Sequence, residues 1–248
     1  MPAQPLPTFR ARSLFAPLDP GGRAGVVARR LAQAIRLGLL VDGERLPAES
    51  DLAAQLGVSP VTLREALAEL RELGLVQTRR GRGGGSFVVA PDGHDRTRLE
   101  RPLRLLSLHE LRDIGDHRAA VAGAAARLAA ERALPADVRT LREHAARLAA
   151  AASVTGLRRA DARVHIEIAA AAQSPRLTRA EMDLWSQIGD LVWLPMAGDP
   201  AAAAAAACEH ESLIDAIERG EPGLARDLAE RHVAAETSRL LDLRLGGR

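Results

Sequence analysis

The sequence predicts a mainly α protein in two parts: a small N-terminal domain of helices closed by a two-stranded hairpin, and a C-terminal all-α helical bundle. Three observations carry this expectation. Alanine is abundant and aromatic residues make up only 2% of the chain, a composition that favours helix. Apolar residues recur at helical spacing through most of the chain. One arginine- and glycine-rich stretch, "LVQTRRGRGGGSFVVA", breaks that period and reads as strand, tip, strand. At 248 residues and 47% hydrophobic content, the chain suits one or two domains.

Residues 1–21, with scattered arginines and prolines and no apolar signal-peptide core, read as a flexible arm. The first periodic segment, "RAGVVARRLAQAIRLGLL", places Val27, Leu31, Ile35 and Leu39 on one helical face, and "VDGERLP" reads as a turn. A short helix follows, acidified in its first turn by Glu49 and Asp51, where the dipole favours anions, and stopped by Gly57. "GVS" is a tight connection of the kind joining two helices of a helix-turn-helix. Ser59 is then an N-cap and Pro60 stands at the first helical position, where its missing N–H costs nothing. Leu63, Ala66, Leu67, Leu70 and Leu73 form the buried stripe, leaving Thr62 and Arg64 near the end that enters the major groove in this motif. The hairpin after it makes the unit, residues 22–92, a winged helix-turn-helix. Arg79, Arg80 and Arg82 at its tip suit phosphate or minor-groove contact.

Charge supports this division. All 34 basic residues are arginine; residues 1–90 hold 12 of them against 8 acids, and residues 91–248 hold 22 against 24. Attraction for a polyanion therefore concentrates in the first third. Scarce aromatics leave little to stack on single-stranded bases. No run of about 18 apolar residues is present, so no spanning helix is expected, and the single Cys208 excludes a disulfide framework; both point to a cytoplasmic protein.

After a polar linker at 93–104, residues 105–244 read as helices covering roughly 107–132, 136–152, 156–172, 176–194, 200–219 and 222–243, with prolines and glycines at the breaks. Asp161 and His165 are four apart on one face of their helix, and that face continues through Ile168 and Ala172 towards the interior. His210 aligns with Leu213, Ile214 and Ile217; His232 continues Leu224 and Leu228. An unpaired inward carboxylate is costly, and a divalent metal held by Asp161, His165, His210 and His232 resolves that cost. Mixed nitrogen and carboxylate ligation suits zinc foremost, then nickel, manganese or iron. An octahedral ion with these ligands keeps two positions for a carboxylate-bearing small molecule. Each histidine alone reads equally as a satisfied core residue. His144 borders the Leu141 and Leu148 stripe and nothing pairs with it, and His94, His109 and His117 read as linker or surface residues. Arg118, opening the nearly uncharged stretch "RAAVAGAAARLAA", is either a snorkelling arginine or a clamp for an anionic effector.

With both halves read, the chain resembles the GntR family of bacterial transcription regulators, in its FadR-type branch with an FCD effector domain. "GERLPAESDLAAQLGVSPVTLREALAELRELGLVQTRRGRGGGSFV" resembles the family's winged helix-turn-helix nearly end to end. The second half resembles FCD through Arg118, "AARLAA", the Asp161–His165 pair, His210 and His232, and the likeness covers about 22–243. It implies operator contacts from Ser59, Thr62 and Arg64, with Gly83, Gly84 and Gly85 lying close to the DNA backbone. It implies a metal on Asp161, His165, His210 and His232. It also implies a homodimeric repressor that binds a palindromic double-stranded operator and releases it on binding a small organic acid. Ser50 and Pro60 stand where the family often has arginines that contact DNA, and Ala122 where a glutamate is common.

Two other readings stay open at this level. One is a metal-dependent hydrolase using the same four residues, for which Glu167 and Glu211 neighbour ligands but point elsewhere, and which lacks an HExxH or nucleophile motif. The other makes the helical half a dimerisation module alone.

Overall fold

The computed structural model describes residues 24–81, 83–89, 103–151, 153–189, 191–196 and 199–246. The chain divides into two compact units, 1–92 and 93–248. The arm at 1–21, the linker up to residue 102, His94 and Arg82 lie outside the described residues.

In the first unit, α1 (Ala24–Arg36), α2 (Glu49–Leu56) and α3 (Pro60–Glu72) precede β1 (Val76–Arg79) and β2 (Gly85–Val88). Val27, Leu31 and Ile35 on α1 are fully buried, as are Leu63 and Leu70 on α3, and the two helices pack together. Gly57 ends α2 in the left-handed region, at φ 67°, a conformation open to glycine at no steric cost. That turn delivers the chain to Ser59, whose Oγ accepts the Thr62 N–H at 3.1 Å and caps α3. Ser59→Ala leaves that N–H to water and is expected to cost about 1 kcal/mol, read as a lowered urea midpoint with unchanged slope.

The hairpin pairs Val76 with Val88 through Arg79 with Gly85, antiparallel. The segment read as a turn contributes more than that. Arg45 bridges Phe87, Leu46 N–H donates to Ser86 O at 2.9 Å and Val88 N–H to Glu44 O at 2.9 Å. Three residues too short and too polar to show a period thus complete the ladder beside β2.

The second unit comprises α4 (Leu108–Arg132), α5 (Pro135–Ala149), α6 (Val154–Ala171), α7 (Pro175–Ile188), α8 (Pro200–Glu218) and α9 (Pro222–Gly246). Among the described residues, proline opens five helices, where its fixed φ suits the first turn. Ser107 and Glu110 form a capping box that starts α4. The most extensive packing is between α4 and α9, which approach closely because Gly115 has no Cβ to strike Thr237.

Three expectations are corrected. Leu73, read into the buried stripe of α3, is exposed because it follows the helix as its C-cap, and Leu224, read as leading to His232, is exposed while Ala225 and Ala229 are the residues buried with His232. The helix read as 176–194 stops at Ile188, and residues 191–194 continue as turns with Leu191 N–H on Ile188 O and Leu194 N–H on Leu191 O. Leu191, Val192, Trp193 and Leu194 are all buried. A helix carrying four consecutive apolar residues presents some of them outward; the turn buries every one.

Candidate functional site

Two groups of residues stand out, one in each unit. In the first unit, Ser59 and Arg64 are exposed and Thr62 half-buried at the start of α3. The Ser59 and Thr62 hydroxyls lie 2.9 Å apart, and Arg64 Nε donates back to Pro60 O at 3.2 Å. Ser59 is therefore already engaged as a cap. Arg64 makes only a weak exposed bond within its own helix and is free to swing out. On the wing, Arg79 and Arg80 are exposed, the Arg79 guanidinium resting 4.3 Å from the centre of the Phe87 ring. Gly83 has φ 87°, and Gly84 N–H closes the tip on Gly81 O at 2.8 Å. A Cβ on Gly84 would sit 2.5 Å from Arg79 O, so the wing turn requires glycine there.

In the second unit, α6 supplies Asp161 and His165, α8 supplies His210 and α9 supplies His232. All four are buried, and one ligand atom from each lies within 4.8 Å of the others. The partners behind each ligand decide which atom faces the centre. Trp193 Nε1 donates to Asp161 Oδ2 at 2.9 Å, leaving Oδ1 inward. His210 Nδ1 is 2.8 Å from Ala206 O; a carbonyl only accepts, so Nδ1 donates there and Nε2 faces the cluster. His232 Nδ1 donates to Glu209 Oε2 at 2.6 Å, which leaves its Nε2 on the side of the cluster.

The inward atoms crowd one another. His210 Nε2 is 3.0 Å from Asp161 Oδ1 and 3.3 Å from His165 Nε2, and His165 Nε2 is 3.8 Å from Asp161 Oδ1. Ligands bound about 2.0–2.1 Å from one ion stand roughly 3–4 Å apart, which these separations match. Asp161 Oδ1 and His232 Nε2 are buried without a hydrogen-bond partner. Ligand-type atoms converging on one point fit a divalent cation; the donor set suits zinc or another late first-row metal.

Electrostatics agree with that fit. Burial pushes His165 down to about 3, so its imidazole is neutral and available as a ligand. Burial pushes the Asp161 carboxyl up, but His210 outweighs this and holds it below its usual value. Burial acts against charge on His232 too, yet Glu236 and Glu209 raise it to about 10, so a cation arriving there replaces a proton.

Arg118 is 1% exposed, which removes the snorkelling alternative. Its Nη2 donates to Glu236 Oε2 at 2.8 Å, its Cζ lies 5.0 Å from the Trp185 ring, and its Nε and Nη1 have no hydrogen-bond partner. Glu236 Oε1 stands 3.4 Å from His232 Nε2, linking the guanidinium to the ligand cluster. A small cavity lined in part by Ala122, Ala125, His165 and Glu181 adjoins the cluster.

Spacing had pointed to the four candidate ligands, and the uncharged stretch that it opens to Arg118, but nothing to Trp193, Glu209, Glu181 or Glu236. Glu236 follows His232 by four residues, the same signal that joined Asp161 to His165. Trp193 is one of two tryptophans, and a buried indole N–H seeks an acceptor. His144 has partners after all: Glu167 at 3.7 Å and Arg147 at 3.3 Å, both reached only once α5 and α6 pack or the side chain folds over. Glu167 is thereby turned away from the cluster, and no general base is drawn from it.

Residues 23–86 match the family described as bacterial regulatory proteins, gntR family, and residues 113–235 match the FCD domain. A protein of Mycobacterium gastri named RmpR, classed as an HTH-type transcriptional regulator, is 41% identical over 96% of this chain and 88% of its own. The chain belongs to the GntR family. An Escherichia coli relative, called an L-lactate dehydrogenase operon regulatory protein, is 31% identical over 84% of this chain and 86% of its own. The fold is shared with E. coli McbR/YncC, at TM-score 0.54 and 22% identity over 89% of this chain and 97% of that one. This GntR-family protein is a DNA-binding transcriptional regulator with an FCD domain, and its relatives are regulators, not enzymes. Among the described residues, no helix is long and apolar enough to cross a membrane.

Proposed function

We propose that this regulator is a homodimeric repressor that holds a palindromic operator and releases it when a small organic acid binds beside a divalent ion in the FCD domain. The observation that carries the reading is the buried convergence of Asp161, His165, His210 and His232, one ligand atom of each lying within 4.8 Å of the others. A helical half serving only to dimerise has no use for a carboxylate and three imidazoles crowded together in a buried space, where polar and charged groups are costly.

When bound, the ion supplies a Lewis-acid anchor for a carboxylate. The chain's own residues do the rest. Arg118 keeps two free donors for an anion while Glu236 fixes its third edge. Ala122 and Ala125 line a water-sized cavity beside His165. Because these groups come from α4, α6, α8 and α9, a bound acid favours one packing of those helices over another, a population shift between two arrangements.

Ser59, Thr62 and Arg64 are the operator-facing residues of α3, and Arg79, Arg80, Arg82, Gly83 and Gly84 those of the wing. Pro60 retains the sharp helix start and gives up an arginine contact, so recognition rests on Arg64, Thr62 and the wing. Operator affinity should fall steeply with salt. Arg79→Ala/Arg80→Ala should flatten the plot of log K against log salt by about 0.9 for each phosphate contact removed, measured by fluorescence anisotropy. An unchanged slope removes the wing from the interface.

Elemental analysis of the purified protein, with thermal-shift screening of small organic acids before and after chelation, tests the effector site. Metal retention with acid-induced stabilisation lost on chelation is the expected result. Protein that carries no metal and responds to no acid overturns it.

A further inference from the structure

The two tryptophans of the chain are both buried near the ligand cluster, and their indole N–H groups go to different partners. Trp185 Nε1 donates within α7, to Glu181 Oε1 at 3.0 Å. Trp193 Nε1 donates to a candidate ligand, Asp161 Oδ2, at 2.9 Å. Trp193 reaches it from the turns that follow α7, where Leu191 N–H meets Ile188 O at 2.7 Å and Leu194 N–H meets Leu191 O at 2.9 Å. Its neighbours Leu191, Val192 and Leu194 are at most 2% exposed, so the indole is anchored from both sides. Asp161 is itself fully buried. Its other oxygen, Oδ1, lies 3.0 Å from His210 Nε2 and 3.8 Å from His165 Nε2, inside the cluster. One carboxylate thus divides its oxygens between an anchored donor and the candidate metal position.

From this division we propose that Trp193 is a positioning residue for the metal centre: by occupying Asp161 Oδ2 it restricts the carboxylate to ligation through Oδ1 and so favours zinc over larger, harder ions. The inference rests on the metal reading above and adds a determinant of metal choice. Zinc takes one atom from each of four ligands, at about 2.0–2.2 Å from oxygen or nitrogen. Manganese is a harder ion that suits carboxylate oxygen and gains from a second one. An oxygen already accepting a hydrogen bond from a fixed indole is a poor second ligand. Without that donor the buried carboxylate can turn and offer both oxygens. Outer partners of this kind typically contribute about 10–100-fold to metal affinity, because they hold the ligand in the orientation that the ion requires.

The test measures zinc and manganese dissociation constants of the full chain by competition with a chelating dye. The unsubstituted protein is compared with Trp193→Phe, which removes the donor and keeps an aromatic ring. Zinc affinity is expected to fall about 10–100-fold and manganese affinity to fall less or not at all, so the preference for zinc narrows by about tenfold or more. A loosened core weakens both ions alike; equal losses, or no loss of either, overturn the assignment. X-ray absorption at the zinc edge of the unsubstituted protein needs no variant. A carboxylate bound through one oxygen is the expected result, and one bound through both overturns the inference. Those failures leave the metal reading standing. Unsubstituted protein that takes up neither ion takes down that reading and this inference together.

Discussion

Arg64→Ala should abolish retardation of the operator while leaving the unfolding transition where it was. The side chain is exposed, and its one bond, to Pro60 O at 3.2 Å, lies within its own helix. Such a bond contributes little in water, so nothing in the core of α1 and α3 depends on it. On DNA the balance reverses. An arginine reaching base edges or phosphates contributes about 1–3 kcal/mol per site. The proposed dimer would lose it twice, which amounts to roughly 2–6 kcal/mol and a fall of about 30- to 10⁴-fold in affinity. Pro60 sharpens this dependence, since it offers no side-chain contact of its own. Normal retardation by Arg64→Ala, in a protein with an unaltered urea midpoint, removes α3 from the reading of the operator.

His210→Ala/His232→Ala should strip the metal and silence the acid response while the protein still binds operator. These two rings bring α8 and α9 to the cluster; their loss leaves only Asp161 and His165 of α6 as ligands. Elemental analysis checks occupancy directly. The stability readout follows from mass action: an ion at about 1,000 times its dissociation constant stabilises the folded state by about 4 kcal/mol. Chelation should therefore lower the melting temperature of the unsubstituted protein by several degrees and that of the variant not at all. Full metal retention by the variant removes the ligand assignment.

Much of this architecture was legible along the chain. Helix breaks fall at prolines and glycines because those residues act on the backbone locally: Pro135, Pro175, Pro200 and Pro222 each open a helix, and Gly57 closes one. The cap on α3 was readable for the same reason, since Ser59 and Thr62 are three residues apart. Spacing also disclosed which face of each helix carries Asp161, His165, His210 and His232. The end of α7 was not readable, because a run of apolar residues has no period to distinguish a buried helix from a buried turn. Nor was the edge segment at Glu44–Leu46, whose pairing with β2 comes from residues about forty positions away.

The sequence by itself determined the partition into two units, the sharp start of α3 and the inward aim of four ligand-type side chains, all consequences of backbone rules that operate within one turn of helix. Tertiary structure alone decided what those side chains face. It set Trp193 behind Asp161, Glu209 behind His232 and Glu236 between Arg118 and His232, and left one oxygen of Glu181 without a partner. Hydrogen bonds and charge act over a few ångströms of space, and residues brought that close by packing carry no mark of it in their separation along the chain.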